Sequence, residues 1–271
     1  LAAAEHGIPV IHVGAGQCPE GMSSPEGRHA ELTDRLSSLL CCLDPVDEQD
    51  LHARQMERGT CVTGDPLYDL FEQDRPRLRP FEETEHGAAF GEFILCYLSR
   101  PAALRSPDGI RSLLEGLQVL HARQERPVLL VQHPSALACF QEREQQIPDG
   151  IRILPPLTHI AFLSLVCAST FVVTDSPALQ REALYAGKRA LLLPPVPSGS
   201  AAVQNGWHIA CASAADLAAA GETVLQPCPH PGLPGTSGQA SRRVAAAVMA
   251  ILADIADGIP QGDSASGPQD D

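Results

Sequence analysis

The sequence predicts an α/β fold with doubly wound parallel sheet, divided into two units. Three observations lead there. Short apolar runs alternate with helical stretches of roughly 8 to 15 residues from Ile8 to Leu193, the rhythm of a parallel sheet covered on both faces. Several of those runs open into polar loops, Ser99-Arg100, Gln132-His133-Pro134 and Asp175-Ser176, where the ligands of such sheets gather. Arg75 to Gly91, rich in Pro, Glu and Arg and without a period, breaks the rhythm and reads as a linker.

In order, Ile8 to Val13 reads as a strand. Ala30 to Leu43 reads as one helix, with Leu32, Leu36, Leu39, Leu40 and Leu43 on its apolar face. A strand at Thr60 to Thr63 meets the turn Gly64-Asp65-Pro66 and a short helix from Leu67 to Phe71. Beyond the linker come strand Phe93 to Leu98, helix Gly109 to Arg123, strand Val128 to Gln132, helix Ser135 to Gln145 and strand Ile151 to Leu154. Helix Thr158 to Val166, strand Ser169 to Thr174, helix Ser176 to Ala186 and strand Ala190 to Leu193 continue the alternation. Cys228 to Gly238 is loop, and Gln239 to Asp257 a final helix rich in Ala, Val and Ile. The units are thus 1–74 and 92–257, separated by 75–91, with 258–271 as a disordered acidic tail.

The 271 residues carry a net charge of −14 and no Lys or Arg cluster, which argues against nucleic acid as a partner. No apolar run approaches the roughly 20 residues needed to span a bilayer, so no membrane partner is expected. Nine cysteines contain no Cys-x-x-Cys pair, and several fall in apolar runs. They read as reduced thiols of a cytoplasmic protein, with no metal site and no cofactor expected. The chain opens at Leu1, close to a strand, and reads as part of a longer product.

Thr174 to Glu182 is the most informative segment. Ser176 suits a helix N-cap, and Pro177 the first helical position, where its missing N–H would have no partner. Such a helix mouth attracts phosphate, and Glu182 could accept from a sugar hydroxyl. An ordinary strand-to-helix turn has the same grammar.

Taken together, the motifs resemble the UDP-N-acetylglucosamine 2-epimerase family. His12-Val13-Gly14-Ala15-Gly16 is similar to its HVEAG segment and Pro25-Glu26 to its PEE. Val62 to Pro66 with Asp69 looks like its TGN turn, Thr174 to Ala183 like its TDSGGxQEEA, and Ser237 to Ser241 like its GDGQAS. The likeness runs collinearly from about His6 to Ala253. It implies two Rossmann-like domains, the first truncated, with a cleft between them and a UDP-sugar as small-molecule partner. A homodimer is one assembly open to it. By position it implies that Glu26 is catalytic. Ser176, Ala178, Gln180, Glu182, Arg100 and His133 would bind UDP or substrate, with uracil near Leu157 to Phe162. The implied chemistry removes the C2 proton of the sugar and expels UDP, and UDP or water then returns; the pathway served is cell-surface polysaccharide synthesis.

The departures fall on groups that would do this chemistry. The HVEAG glutamate is Gly14, and the histidine of the family's GHRRE segment is Ser99, with Arg100 retained. Pro177 and Ala178 replace two glycines. Two other readings therefore stand beside the epimerase: a UDP-sugar-binding homologue impaired in turnover, and a two-Rossmann glycosyltransferase. Taken singly, Glu26 also reads as a first-turn helix carboxylate, Arg100 as a surface charge, His133 as a loop-capping group and His12 as structural. Trp207 caps either a pocket or the core.

Overall fold

The computed structural model describes residues 2–17, 25–56, 59–80, 91–99, 107–131, 147–194, 201–233 and 238–258. After a short helix α1 (Ala2–Glu5), the first unit runs β1 (Ile11–Ala15), α2 (Pro25–Leu36), β2 (Leu39–Cys42), α3 (Pro45–Ala53), β3 (Thr60–Val62) and α4 (Pro66–Asp74). Its three strands lie parallel in the order β1-β2-β3, with Ile11 opposite Leu39 and Leu40 opposite Thr60. The second unit begins at β4 (Ile94–Tyr97) and continues with α5 (Pro107–Gln124), β5 (Val128–Val131), β6 (Ile151–Leu154), α6 (His159–Ala168) and β7 (Phe171–Thr174). It ends with α7 (Pro177–Tyr185), β8 (Ala190–Leu192), α8 (Ala201–Gln204), β9 (Ile209–Ala210), α9 (Leu217–Val224) and α10 (Ala240–Gly258).

The larger sheet has the order β6-β5-β4-β7-β8-β9, all parallel. Its strands bury both faces. Ile94, Cys96, Val128 and Leu130 share one core with Leu113 and Leu117 of α5 and Leu217 of α9. Leu95, Leu129 and Val172 join Leu165 of α6 and Leu179 of α7 in the other. That two-sided burial is why these runs show no polar alternation in the sequence.

The expected helix from Ala30 to Leu43 is two elements. The helix ends at Leu36, and Leu39 to Cys42 is a fully buried strand. Leucines at 36, 39, 40 and 43 satisfy a helical period, but a short continuous apolar run fits a buried strand equally well. The Ser38 N–H decides it by bonding the Val10 carbonyl at 2.7 Å, which draws the chain into the sheet. Helix α3 follows at once, opened by Asp44, whose side chain accepts from the Val46 and Asp47 amides while Asp47 answers in a capping box. The segments α8, β9 and α9, which the sequence reading left unassigned, complete the edge of the larger sheet. The helix expected at Ser135 to Gln145 lies outside the described residues, as do residues 81–90 of the expected linker and 259–271 of the expected tail.

Helices α4, α7 and α10 join the sheets. Phe71 of α4 packs with Leu163 and Tyr185 in a small buried cluster. The Asp69 carboxylate, also on α4, accepts from the Ala240 and Ser241 amides at 3.3 and 2.7 Å, capping α10. Two motifs 171 residues apart are thereby in contact.

His208 holds α7 to the larger sheet. It is 1% exposed; its Nδ1 accepts the Ala190 amide at 3.0 Å, so Nε2 carries the proton directed to the Gln180 carbonyl, also at 3.0 Å. Burial pushes the imidazole pKa down to about 4. Between the ordinary value near 6.5 and about 4, the unfolded chain takes up a proton that the folded chain excludes. Stability from this group is therefore complete above about pH 6.5 and is lost as pH falls through 4, a change of about 3 kcal/mol. Urea unfolding of His208→Gln and the parent chain at pH 7 and pH 4.5 is expected to show a stability difference that shrinks by about 2 kcal/mol at the lower pH.

Candidate functional site

The order of the larger sheet reverses between β4 and β7. From β4 the chain winds outward to β5 and β6, then returns to β7 on the other side and winds away to β8 and β9. Loops that follow two such strands diverge and leave a crevice at their carboxyl ends. Here those loops are Leu98-Ser99 and Asp175-Ser176, and Asp175 ties them together. Its Oδ1 accepts from the Ser99 amide at 2.7 Å and from the Ser99 hydroxyl at 3.2 Å.

Ser176 caps α7. Its hydroxyl accepts from the Leu179 amide at 3.4 Å and its own amide donates to the Thr174 hydroxyl at 3.0 Å. Pro177 has no N–H. The Ala178 amide at the exposed mouth makes no hydrogen bond to the described residues, so it remains available to an anion.

One and a half turns on, Glu182 is 8% exposed. No donor among the described residues hydrogen-bonds its carboxylate. Burial raises its pKa, opposed by the charges of His159 and Arg181. Gln180 is buried beneath the mouth, its carbonyl occupied by His208. On the neighbouring helix α6, Phe162 stacks on Tyr97, at the carboxyl end of β4, with ring centroids 4.9 Å apart. Ser176, Ala178, Gln180 and Glu182 thus share one helix at the switch point. Glu26 is the second residue of α2, with its side chain outside the described set, and Arg100 and His133 lie outside the described residues.

Across from α7 stands the loop after β1. Gly16 has φ +86°, and a Cβ there would lie 2.5 Å from the Asp47 carbonyl oxygen, so only glycine fits. Asp34 and Arg54 hold this loop from below. The Gly16 amide donates to Asp34 at 3.4 Å, and the Gly16 carbonyl accepts from Arg54 at 2.9 Å. Asp34 also meets His12 Nδ1 at 2.6 Å, which gives His12 the structural partner expected for it. Gln17 reaches the other way, accepting from Arg181 Nη1 of α7 at 3.0 Å. Arg181 Nε lies 3.1 Å from Asp65 Oδ2, and Tyr185 donates its hydroxyl to the same oxygen.

Asp47 closes this corner. Its Oδ2 accepts from the Leu43 and Asp44 amides at 3.2 and 3.3 Å. Burial, reinforced by the Asp44 charge, pushes its pKa up to about 7, while those amides and the Gln17 side chain act the opposite way. The folded chain therefore keeps a proton on Asp47 that the unfolded chain loses near pH 4, and stability from this group declines as pH rises through 7, opposite in sign to His208.

Sequence reasoning did not single out Asp34, Asp47, Arg181 or Tyr185. The one available signal was the charge at position 181, where the resembled motif has glutamate. Trp207, left open, belongs to the core: it is buried, its indole donates to the Lys188 carbonyl at 3.2 Å, and His230 packs edge-on at 4.7 Å.

Two parallel sheets joined through α4, α7 and α10, with polar loops at the switch point of the larger, define a two-sheet α/β protein of the doubly wound kind. The chain belongs to the UDP-N-acetylglucosamine 2-epimerase family, which matches residues 1–249. It is 28% identical over 193 residues to UDP-2,3-diacetamido-2,3-dideoxy-D-glucuronate 2-epimerase of Pseudomonas aeruginosa, covering 69% of this chain and 52% of that protein. It is 24% identical over 195 residues to UDP-N-acetylglucosamine 2-epimerase of Methanocaldococcus jannaschii, covering 68% and 52%. The match spans about half the length of these curated relatives. In fold it is similar to the Methanocaldococcus jannaschii enzyme solved with UDP-GlcNAc and UDP, with TM-score 0.82, 20% identity, and 92% of this chain and 71% of that one covered. The Neisseria meningitidis UDP-GlcNAc 2-epimerase bound to UDP-GlcNAc gives TM-score 0.74 at 19% identity, covering 92% and 72%. Among the described residues no helix is long and apolar enough to cross a membrane.

Proposed function

We propose that this chain binds a UDP-sugar, with the nucleotide on the larger sheet and the sugar directed toward the loops of the smaller, and that it epimerises or hydrolyses the sugar at C2 by eliminating UDP. One observation carries the nucleotide reading: Glu182, only 8% exposed and with no donor to its carboxylate among the described residues, sits beside a helix mouth whose Ala178 amide makes no hydrogen bond to the described residues. A carboxylate held where burial raises its pKa gains from donors that a ligand brings, and ribose hydroxyls are donors of the right kind. Ser176 and Ala178 then meet the phosphates, with Arg100 and His133 as further contacts and Gln180 supporting the mouth. Glu26 serves as the base that takes the C2 proton, since so weak an acid needs a placed carboxylate.

Residues 1–74 and 92–257 act as the two domains of this arrangement, joined by 75–91. A cytoplasmic setting, which suits the buried thiols Cys41, Cys42, Cys96 and Cys211, and a homodimer complete the reading. Gly14 and Ser99 supply a specific ground for the second reading, binding with impaired turnover: each replaces a family group that would hold or move charge.

Calorimetry with UDP and UDP-GlcNAc, followed by an assay for UDP release, tests both. Binding with release supports the epimerase, binding without release the impaired homologue, and no binding of either ligand defeats the proposal. Release that requires an added acceptor would turn the reading to a glycosyltransferase.

A further inference from the structure

Arg181 is not among the nucleotide contacts just proposed, although its charge acts on Glu182. It is next to Glu182 on α7, yet it reaches the smaller sheet, touching Gln17 after β1 and Asp65 after β3. At both positions this chain departs from the motifs it resembles: Arg181 stands where TDSGGxQEEA has glutamate, and Asp65 where TGN has asparagine. The two changes meet in space. A glutamate at 181 beside Asp65 would set two carboxylates against each other in a buried corner, so the pair is consistent only as a pair.

Resting on the UDP-sugar reading, we propose that Arg181 is a positioning residue that couples nucleotide binding on α7 to the placement of the loop after β1 against the sugar.

Three features support it. First, Gln17 directly follows Gly16 in that loop and its side-chain carbonyl oxygen accepts from Arg181, while Asp34 and Arg54 hold Gly16. Among the described residues of the loop, the hydrogen bond to α7 is the one from Arg181 to Gln17. Second, Asp65 is held on the same helix by Tyr185 as well, and its Oδ1 caps α4 through the Leu67 amide at 2.9 Å, so displacement of α7 would be felt at the turn after β3. Third, the clasp is not fully closed. Arg181 Nε is buried and 3.1 Å from Asp65, but it is not aligned to donate a hydrogen bond. That leaves one donor of the clasp unspent at the contact between α7 and the turn after β3. A nucleotide that shifts the mouth of α7 thus also shifts Gln17.

The test uses the 271-residue chain, Arg181→Glu, and the double variant Asp65→Asn/Arg181→Glu, which restores the motif's pairing while Asn keeps the cap on α4. UDP affinity is expected to differ less than about threefold between the two variants, which carry the same glutamate beside Glu182 and so share its effect on that carboxylate. The added affinity of UDP-GlcNAc over UDP is expected to fall about tenfold in Arg181→Glu and to recover in the double variant. Hydrogen exchange at residues 14–17 without ligand is expected to quicken in the single variant and slow again in the double. An unchanged sugar contribution overturns the proposal, and so does an equal loss for UDP itself, which would make Arg181 a phosphate contact. If the parent chain binds no UDP, the proposed function fails, and unchanged exchange at 14–17 would separately remove the clasp.

Discussion

Glu182→Ala is expected to weaken UDP binding by about 10- to 100-fold while changing the stability of the unliganded chain by less than about 1 kcal/mol. The binding loss follows from hydrogen bonds between a carboxylate and ribose hydroxyls, about 1.5 to 3 kcal/mol for bonds to charged groups. The small stability effect follows from the free protein, where the carboxylate has no donor among the described residues and burial raises its pKa. A residue kept for the fold would behave the other way, since its loss would lower stability with little effect on ligand. Calorimetry and thermal melting of the same variant separate the two. The direction of the pKa shift adds a check: acidification protonates Glu182 and should weaken UDP binding in the parent chain, whereas Glu182→Gln should lose that part of the pH dependence.

Arg189→Ala is expected to have the largest effect on stability, about 2 to 4 kcal/mol. Its guanidinium donates to five carbonyls: Trp207 at 2.8 Å, Gly206 at 2.7 Å, Thr223 at 3.2 Å, Val224 at 2.6 Å and Gln226 at 2.7 Å. Thr223 and Val224 end α9, so the charge also meets the negative end of that helix. The Trp207 ring lies against the same group, with Arg189 Cζ 5.9 Å from the ring centroid. Without the fork, β8, the loop before β9 and the end of α9 lose their common tie. Partial exposure lets water replace some of these bonds, which keeps the figure below the sum of five. Arg189→Lys should recover little, because an ammonium cannot present a planar fork to five acceptors. Urea unfolding at pH 7 measures both, and a loss under about 1 kcal/mol for Arg189→Ala would set this account aside.

The regular elements that the sequence revealed are those with a local signature. β4, β5, β6 and β7 are apolar runs bounded by polar loops, and α7 announces itself through Ser176 and Pro177. Where two local patterns overlap, the reading failed. Leu36 to Leu43 fits a helix face and a buried strand alike, and only the bond from Ser38 to Val10, from a different segment of chain, separates them. At β9 the strand is two residues long, too short to show any period.

The candidate site divides along the same line. Ser176, Ala178, Gln180 and Glu182 were legible because a helix mouth and its first turns are adjacent in sequence; Ala178 and Glu182, four apart, fall on one side of α7, and Ser176 and Gln180 on another. Arg181 was not legible as a partner of Gln17, because the two are 164 positions apart in the chain. Nor was Asp69 as the cap of α10, or Arg189 as the tie of five carbonyls, since those acceptors are backbone atoms that carry no mark in the sequence. Sequence by itself determined the alternating architecture, the family resemblance and the helix mouth, because each rests on spacing along the chain. Tertiary structure alone decided that Glu182 is nearly buried with no donor among the described residues and that α7 clasps the loops of the smaller sheet. Burial and contact depend on what folding brings near, and spacing along the chain does not encode them.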